Sequence, residues 1–144
     1  MLVQEFINNH IINGAPITQC MRTEKCELAY QEHLQNCEDT PDKYIMNKFF
    51  SDNTIPHCFA MNEYPYTFDD YSQHYILWIN PLYEREYQIG SNLPNDVKQN
   101  INNIINNDDN NVDAFIVFEN SKSSRTINSV RHFHIIFYNE THSL

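Results

Sequence analysis

The first fifty residues carry their apolar side chains at helical intervals, separated by charged and amide residues. This pattern predicts helices over residues 2–13 and 24–35. Thr40 followed by Pro41 is typical of an N-cap with proline at the first helical position, and the pair predicts a third helix over residues 43–50.

Beyond Ser51 the pattern changes to short apolar runs, which are typical of strands. We predict strands over residues 58–61, 73–80, 113–119 and 129–138. Apolar residues at helical spacing predict a helix over residues 94–107, between the second and third strands. This order of elements indicates an α+β fold with an antiparallel or mixed sheet and flanking helices.

The length of 144 residues suits one domain, and neither a repeat nor a linker divides the chain. We therefore predict a single domain in which a helical N-terminal extension, residues 1–50, packs on an α+β core, residues 51–144. Hydrophobic residues make up 41% of the chain, enough to bury a core without a partner.

Composition excludes several function classes. A formal net charge of −10 disfavours duplex nucleic acid, because such binding depends on neutralising many phosphates. No apolar stretch has the length of a membrane span and residues 1–13 lack the order of a secretory signal, so we expect a cytoplasmic protein. The four cysteines are expected as free thiols. Two glycines are too few for the phosphate-binding loops of P-loop or dinucleotide-binding folds.

The last predicted strand carries two histidines one residue apart, in the segment NSVRHFHIIF. Because side chains alternate along a strand, His132, His134 and Ile136 share one face. The other face, which we predict to be the core-facing one, carries Arg131, Phe133, Ile135 and Phe137. The two imidazoles would then line the opposite face, where they can act on a ligand as a pair.

Three interpretations of this pair stay open. Both histidines can be hydrogen-bonded sheet residues without chemistry. They can bind zinc together with His74 on another strand. They can also perform phosphate chemistry, because a neutral imidazole attacks phosphorus or protonates a leaving oxygen near neutral pH. A separate zinc site of Cys26, His33 and Cys37 is conceivable, but it lacks a clear fourth ligand. We therefore predict neither a bound metal nor a cofactor.

The motifs around the pair resemble those of the histidine-triad superfamily of nucleotide hydrolases and transferases. The resemblance spans residues 58–138 and consists of an ordered series: NEYPY (62–66), QHYILWINP (73–81), FIVFEN (115–120), NSV (128–130) and HFH (132–134). It implies a nucleotide-binding fold in which His134 is the histidine that attacks phosphorus and His132 orients the site. It also implies that Asn120, Asn128 and Ser129 bind phosphate oxygens.

The sequence departs from that superfamily at three places. Ile136 replaces the third histidine, Gln73 replaces a glycine, and residues 120–126 replace a glycine-rich turn. A second resemblance, which adds Met21-Arg22-Thr23, Tyr30 and residues 42–45, is to the uncharacterised family named for a fungal N-acetylglucosamine-induced protein. It implies a fold relation and no activity. The asparagine-rich, glycine-poor composition is typical of proteins from an AT-rich genome, such as that of a protist or a large DNA virus.

Other residues near the pair suggest how a ligand could be held. Lys122 and Arg125 bring positive charge to the loop before the histidines, although the same loop can be an ordinary polar hairpin. His74 and Asn62 are further candidate site residues. The candidates for stacking on a base are Trp78, Tyr64 and Tyr66.

Three functions are therefore open. The first is a nucleotide hydrolase or nucleotidyl transferase with His134 as nucleophile. The second is a non-catalytic module that binds a nucleotide or the 5′ cap of an mRNA, where a positively charged base would gain cation–π attraction. The third is a protein-interaction domain whose N-terminal helices bind a partner or a second copy. We favour nucleotide binding and leave catalysis undecided, because the two histidines one residue apart argue for chemistry, whereas Ile136 and the lack of a glycine-rich turn argue against efficient chemistry.

Overall fold

The computed structural model describes residues 1–87, 93–120 and 129–140. Its centre is a four-stranded antiparallel sheet, which confirms the predicted α+β class. The strands are His57–Met61 (β1), Ser72–Ile79 (β2), Ala114–Phe118 (β3) and His132–Tyr138 (β4). They lie in the order β1-β2-β4-β3, so the histidine-bearing β4 occupies the interior of the sheet between β2 and β3.

Four α-helices flank the sheet in the described part of the chain: Val3–Phe6 (α1), Glu24–Asn36 (α2), Pro41–Phe49 (α3) and Asn95–Asn106 (α4). Short 3₁₀ turns follow β2 at Pro81–Glu86 and α4 at Asp108–Asn110. None of the helices in the described residues is both long enough and apolar enough to span a membrane.

The ends of the N-terminal helices have local causes. The Thr23 and Thr40 hydroxyl oxygens accept the backbone N–H groups of Cys26 and Lys43, so both helices start at a threonine cap, as predicted at Thr40. The helix predicted over residues 2–13 begins as α1 and continues as a π-helical segment, Ile7–Ile12. This segment ends at Ile12, and Gly14 follows the Asn13 cap with a φ of +70°, which suits the only residue type without a Cβ.

Each face of the sheet is buried by a different set of helices. On one face, Phe133, Ile135 and Phe137 of β4 pack with Val97 and Ile101 of α4. On the histidine face, the N-terminal helices form two clusters. Residues of the first helix pack around Ile136 and Tyr138, and residues of α3 pack around Ile76 and Trp78.

The prediction that only one face of β4 meets the core is therefore incomplete. All seven residues of β4 are buried, including His132 and His134. The reason is that the N-terminal helices supply a second apolar layer, as in a domain built of three packed layers. The strand also starts at His132 and not at Ser129, because the Ser129 N–H is donated to the Asp42 carboxylate and not to a neighbouring strand.

Candidate functional site

The register of β2 and β4 brings a third histidine to the face of the sheet that carries His132 and His134, which we call the histidine face. Ile76 lies opposite His134, and Trp78 lies opposite His132. His74 lies opposite Ile136, so it is a diagonal neighbour of His134. His74 thus places an imidazole diagonally across from His134 on the adjacent strand.

The His74 and His134 side chains form a direct pair. His74 Nε2 lies 2.8 Å from His134 Nδ1, and both rings are buried. The Tyr66 backbone N–H donates to His74 Nδ1 at 3.0 Å. Since a backbone amide can only donate, His74 Nδ1 is an acceptor, and the proton of a neutral His74 is on Nε2. His74 therefore donates to His134 Nδ1, and the proton of a neutral His134 is on Nε2.

Asn120 completes this hydrogen-bonded chain. One terminal atom of its amide lies 3.1 Å from His134 Nε2 and 3.1 Å from the Tyr66 hydroxyl oxygen. The two ends of an asparagine amide have nearly the same shape, so their assignment follows from their neighbours. An amide nitrogen here would oppose the His134 N–H, whereas the amide oxygen can accept from both the imidazole and the tyrosine hydroxyl. We therefore assign the oxygen to this position.

Packing fixes the His134 ring as firmly as its hydrogen bonds do. Phe118 stacks on the ring with centroids 5.0 Å apart and an interplanar angle of 12°. Tyr66 stacks at 5.6 Å and 18°. His134 is 5% exposed, so it is held on two faces and at both nitrogens.

His74 is neutral in the folded protein. Burial lowers its pKa from 6.5 to about 3, and the nearby charge of Arg22 acts in the same direction. The neutral ring is what the hydrogen bond from Tyr66 requires, because that bond needs an unprotonated Nδ1.

His132 has a separate role on the same face. Its Nδ1 lies 2.9 Å from the Val130 carbonyl oxygen, an acceptor, so Nδ1 carries the proton and Nε2 of the neutral ring can accept. The ring also contacts Trp78, with centroids 4.8 Å apart. In the neutral rings, the proton is therefore on Nδ1 of His132 but on Nε2 of His134.

A cavity of about 140 Å³ lies over this histidine face. Its floor includes Ile76, Trp78, His132 and His134. The N-terminal helices and the segment after β1 form its walls. The rings in these walls are Tyr30 and His33 of α2, Tyr44 and Phe49 of α3, and Tyr64 and Tyr66 after β1. The site thus combines aromatic walls with a floor of imidazole groups.

The aromatic residues of the wall contact one another. Tyr30 and Tyr64 lie with ring centroids 4.9 Å apart, and His33 lies 4.5 Å from Tyr44. At the base of the cavity, Phe49 of α3 stacks on Trp78 at 6.0 Å. Burial raises the pKa of the Tyr66 hydroxyl, so this side chain stays a neutral donor.

The predicted site residues fall into four groups. Those that line the cavity are Asn62, Tyr64, Tyr66, Trp78, Asn120, His132 and His134. His74 lies below them and contacts His134. Ser129 does not line the cavity, because its N–H and hydroxyl are both donated to Asp42 at the start of α3. Lys122, Arg125 and Asn128 lie outside the described residues.

The two zinc alternatives find no support in the described residues. No group of three potential ligands among residues 1–87, 93–120 and 129–140 could hold a metal ion. His74 and His134 point their nitrogens at each other, at 2.8 Å, and leave no space for an ion between them. His33 contacts the rings of Tyr44 and Tyr64 in the cavity wall.

Arg22 is a cavity residue that sequence reasoning did not identify. Its Nε donates to the Tyr64 carbonyl oxygen at 2.8 Å, and its guanidinium lies 4.3 Å from the centre of the Tyr30 ring. Tyr44 and Phe49 were also missed. Tyr30 and His33 are three residues apart, a spacing that places them on one helical face and gave a signal for this part of the wall. Tyr44 and Phe49 are five residues apart and share no such face, so the sequence gave no signal for them.

Comparison with known proteins places the chain in a family. The profile of the family described as "Protein of unknown function (DUF3605)" matches residues 7–138, so the chain belongs to that family. This agrees with the expectation of an uncharacterised family. No curated protein sequence matches the chain.

One solved structure has the same fold. It is described as "Crystal Structure of HTC1" and is similar to this chain with a TM-score of 0.55 and 12% sequence identity. The alignment covers 99% of this chain and 85% of that one. At this identity the likeness concerns the fold alone, and neither match bears on the resemblance to the histidine-triad superfamily.

Proposed function

We propose that this protein is a binding module for a small planar ligand of the nucleotide type, held in the cavity between the N-terminal helices and the histidine face. The observation that carries the proposal is the composition of that cavity: aromatic walls around a floor with hydrogen-bonding imidazoles. Aromatic rings bind bases by their π faces, and a few fixed polar groups set orientation.

The hydrogen-bond order argues for binding without a histidine nucleophile. An imidazole attacks phosphorus through an unprotonated nitrogen, and in the superfamily that this sequence resembles His134 corresponds to the attacking residue. The chain from Tyr66 N–H through His74 leaves the proton of neutral His134 on Nε2. His134 Nδ1, the unprotonated nitrogen, is occupied by His74, so His134 acts as a hydrogen-bonding group of the site.

Ligand binding is tested by calorimetry of the purified protein with mononucleotides, dinucleoside polyphosphates and methylated cap analogues. We expect one of these classes to bind, and Tyr64→Ala to weaken its binding about fivefold or more, because stacking on one aromatic ring contributes about 1–3 kcal/mol. Tyr71→Ala is the matched control, since Tyr71 is exposed and does not line the cavity. Equal binding by both variants would contradict the proposed site.

The absence of turnover is tested in parallel. Any ligand that binds is incubated with wild type and with His134→Asn, and its products are separated. We expect no consumption by either protein. Consumption by the wild type that His134→Asn abolishes would establish the nucleophile and replace the binding module with an enzyme. Nitrogen NMR of the imidazoles gives an independent result, because we expect His134 to carry its proton on Nε2.

A further inference from the structure

We propose that Arg22 is the anion anchor of the cavity and that the ligand is therefore a nucleoside monophosphate, a phosphate monoester that carries a planar base. This inference rests on the proposed function and specifies its ligand. Sequence reasoning assigned phosphate binding to Asn120, Asn128, Ser129 and the loop before β4, whereas Arg22 comes from the segment that precedes α2.

The position of Arg22 is fixed before any ligand arrives. The Thr67 N–H donates to the Met21 carbonyl oxygen at 2.7 Å, which ties the backbone beside Arg22 to the segment between β1 and β2. The Arg22 side chain then bonds to the Tyr64 carbonyl oxygen and lies over the Tyr30 ring. A pre-positioned guanidinium loses little conformational freedom on binding, so more of its interaction energy is available for affinity.

The guanidinium keeps donors available for an anion. A single contact joins Arg22 Nη1 to Glu27 Oε2, at 3.3 Å, and Nε is used by Tyr64. An arginine has five N–H donors, and within the described residues no hydrogen bond from its Nη2 occurs. The Arg22 side chain is 20% exposed and lines the cavity, so a phosphate can reach these donors and bind in a bidentate manner.

The charged residues that line the cavity also favour an anion at Arg22. In the described part of the chain, two charged residues other than histidines line the cavity, Arg22 and Glu63. Glu63 is paired with Lys48, so its negative charge is compensated by a neighbouring cation. Arg22 also lies 5.6 Å from the ring centre of Tyr66, which stacks on His134. A phosphate at Arg22 therefore leaves the attached base within reach of the histidine floor.

The test compares nucleosides with their 5′-monophosphates as calorimetric probes, for each of the common bases. With the wild type we expect the monophosphate to bind at least about tenfold more tightly than its nucleoside, and this preference to fall as salt is raised. Arg22→Gln should bind both probes as weakly as the wild type binds the nucleoside. Lys25→Gln removes the same charge from an exposed position of α2 and should keep the preference.

Arg22→Lys and a thermal melt of each free variant separate binding from folding. Arg22→Lys keeps the charge without the planar fork, so we expect it to retain part of the preference. A wild type that binds both probes equally, or an Arg22→Gln protein that is folded and keeps the preference, would overturn the anion anchor and leave the proposed function intact. Binding of neither probe class by the wild type would overturn the anion anchor, and the proposed function would fail with it only if dinucleoside polyphosphates and cap analogues also do not bind.

Discussion

At the scale of single residues, the main feature of the site is a pair of neutral imidazoles whose proton positions follow from one backbone amide. The Tyr66 N–H sets the tautomer of His74, and His74 sets the tautomer of His134. A sequence pattern can place two histidines on one strand face, but it carries no information on which nitrogen bears a proton. That information requires the cross-strand neighbour and the backbone donor.

Replacement of His74 tests this pair. We expect His74→Phe, which keeps a ring of similar size, to destabilise the fold by about 1–3 kcal/mol, because the Tyr66 N–H and His134 Nδ1 lose a buried partner. His74→Ala should cost more, since it also leaves a cavity. Urea unfolding measures both free energies. A His74→Phe protein as stable as the wild type would mean that the imidazole pair contributes nothing to folding.

At the scale of elements, periodicity located nearly every helix and strand. The strand predicted over residues 73–80 is Ser72–Ile79, and the helix predicted over residues 94–107 is Asn95–Asn106. One departure comes from a side chain that acts on the backbone. Asp42 takes the Ser129 N–H, so the last strand starts later than its apolar pattern indicates. The π-helical segment Ile7–Ile12 has no periodic signature that distinguishes it from an α-helix.

The end of the first helix gives a prediction at this scale. Gly14 has a φ of +70°, and a Cβ at this position would meet no atom within 4 Å. The cost of a side chain there is therefore conformational and not steric crowding by neighbours. We expect Gly14→Ala to lower the free energy of unfolding by about 1–2 kcal/mol and Gly14→Asn to lower it less, because asparagine tolerates the left-handed region. Urea unfolding of the two variants decides, and an Ala variant as stable as wild type would contradict this account.

At the scale of the whole molecule, the candidate site is assembled from segments that are far apart in sequence. Its floor comes from β2 and β4, and its walls come from α2, α3 and the segment after β1. Because side chains alternate along β2, Trp78 lies on the same face as His74, and both are on the histidine face of the sheet. The position of Arg22 over Tyr30 could not be predicted, because it depends on tertiary contacts with Tyr64 and Thr67.

Burial of His74 by the N-terminal layer also makes the stability of the whole protein depend on pH. Its pKa is about 3 in the folded protein, lowered first by burial and then by Arg22, and near 6.5 in an unfolded chain. Below pH 6.5 the unfolded state therefore binds one more proton than the folded state, so acid favours unfolding. The contribution of His74 is complete above pH 6.5 and is lost as the pH falls towards 3.

Urea unfolding between pH 6 and pH 5 measures this effect with little interference from carboxylates, most of which titrate lower. In this range we expect His74 to reduce the free energy of unfolding by up to about 1.4 kcal/mol per pH unit. His74→Phe has no proton to bind at this position, so its stability should fall less steeply over the same range, whatever its absolute value. Equal slopes for wild type and His74→Phe would mean that His74 is protonated in the folded protein, and the hydrogen bond from the Tyr66 amide would then have to be absent in solution.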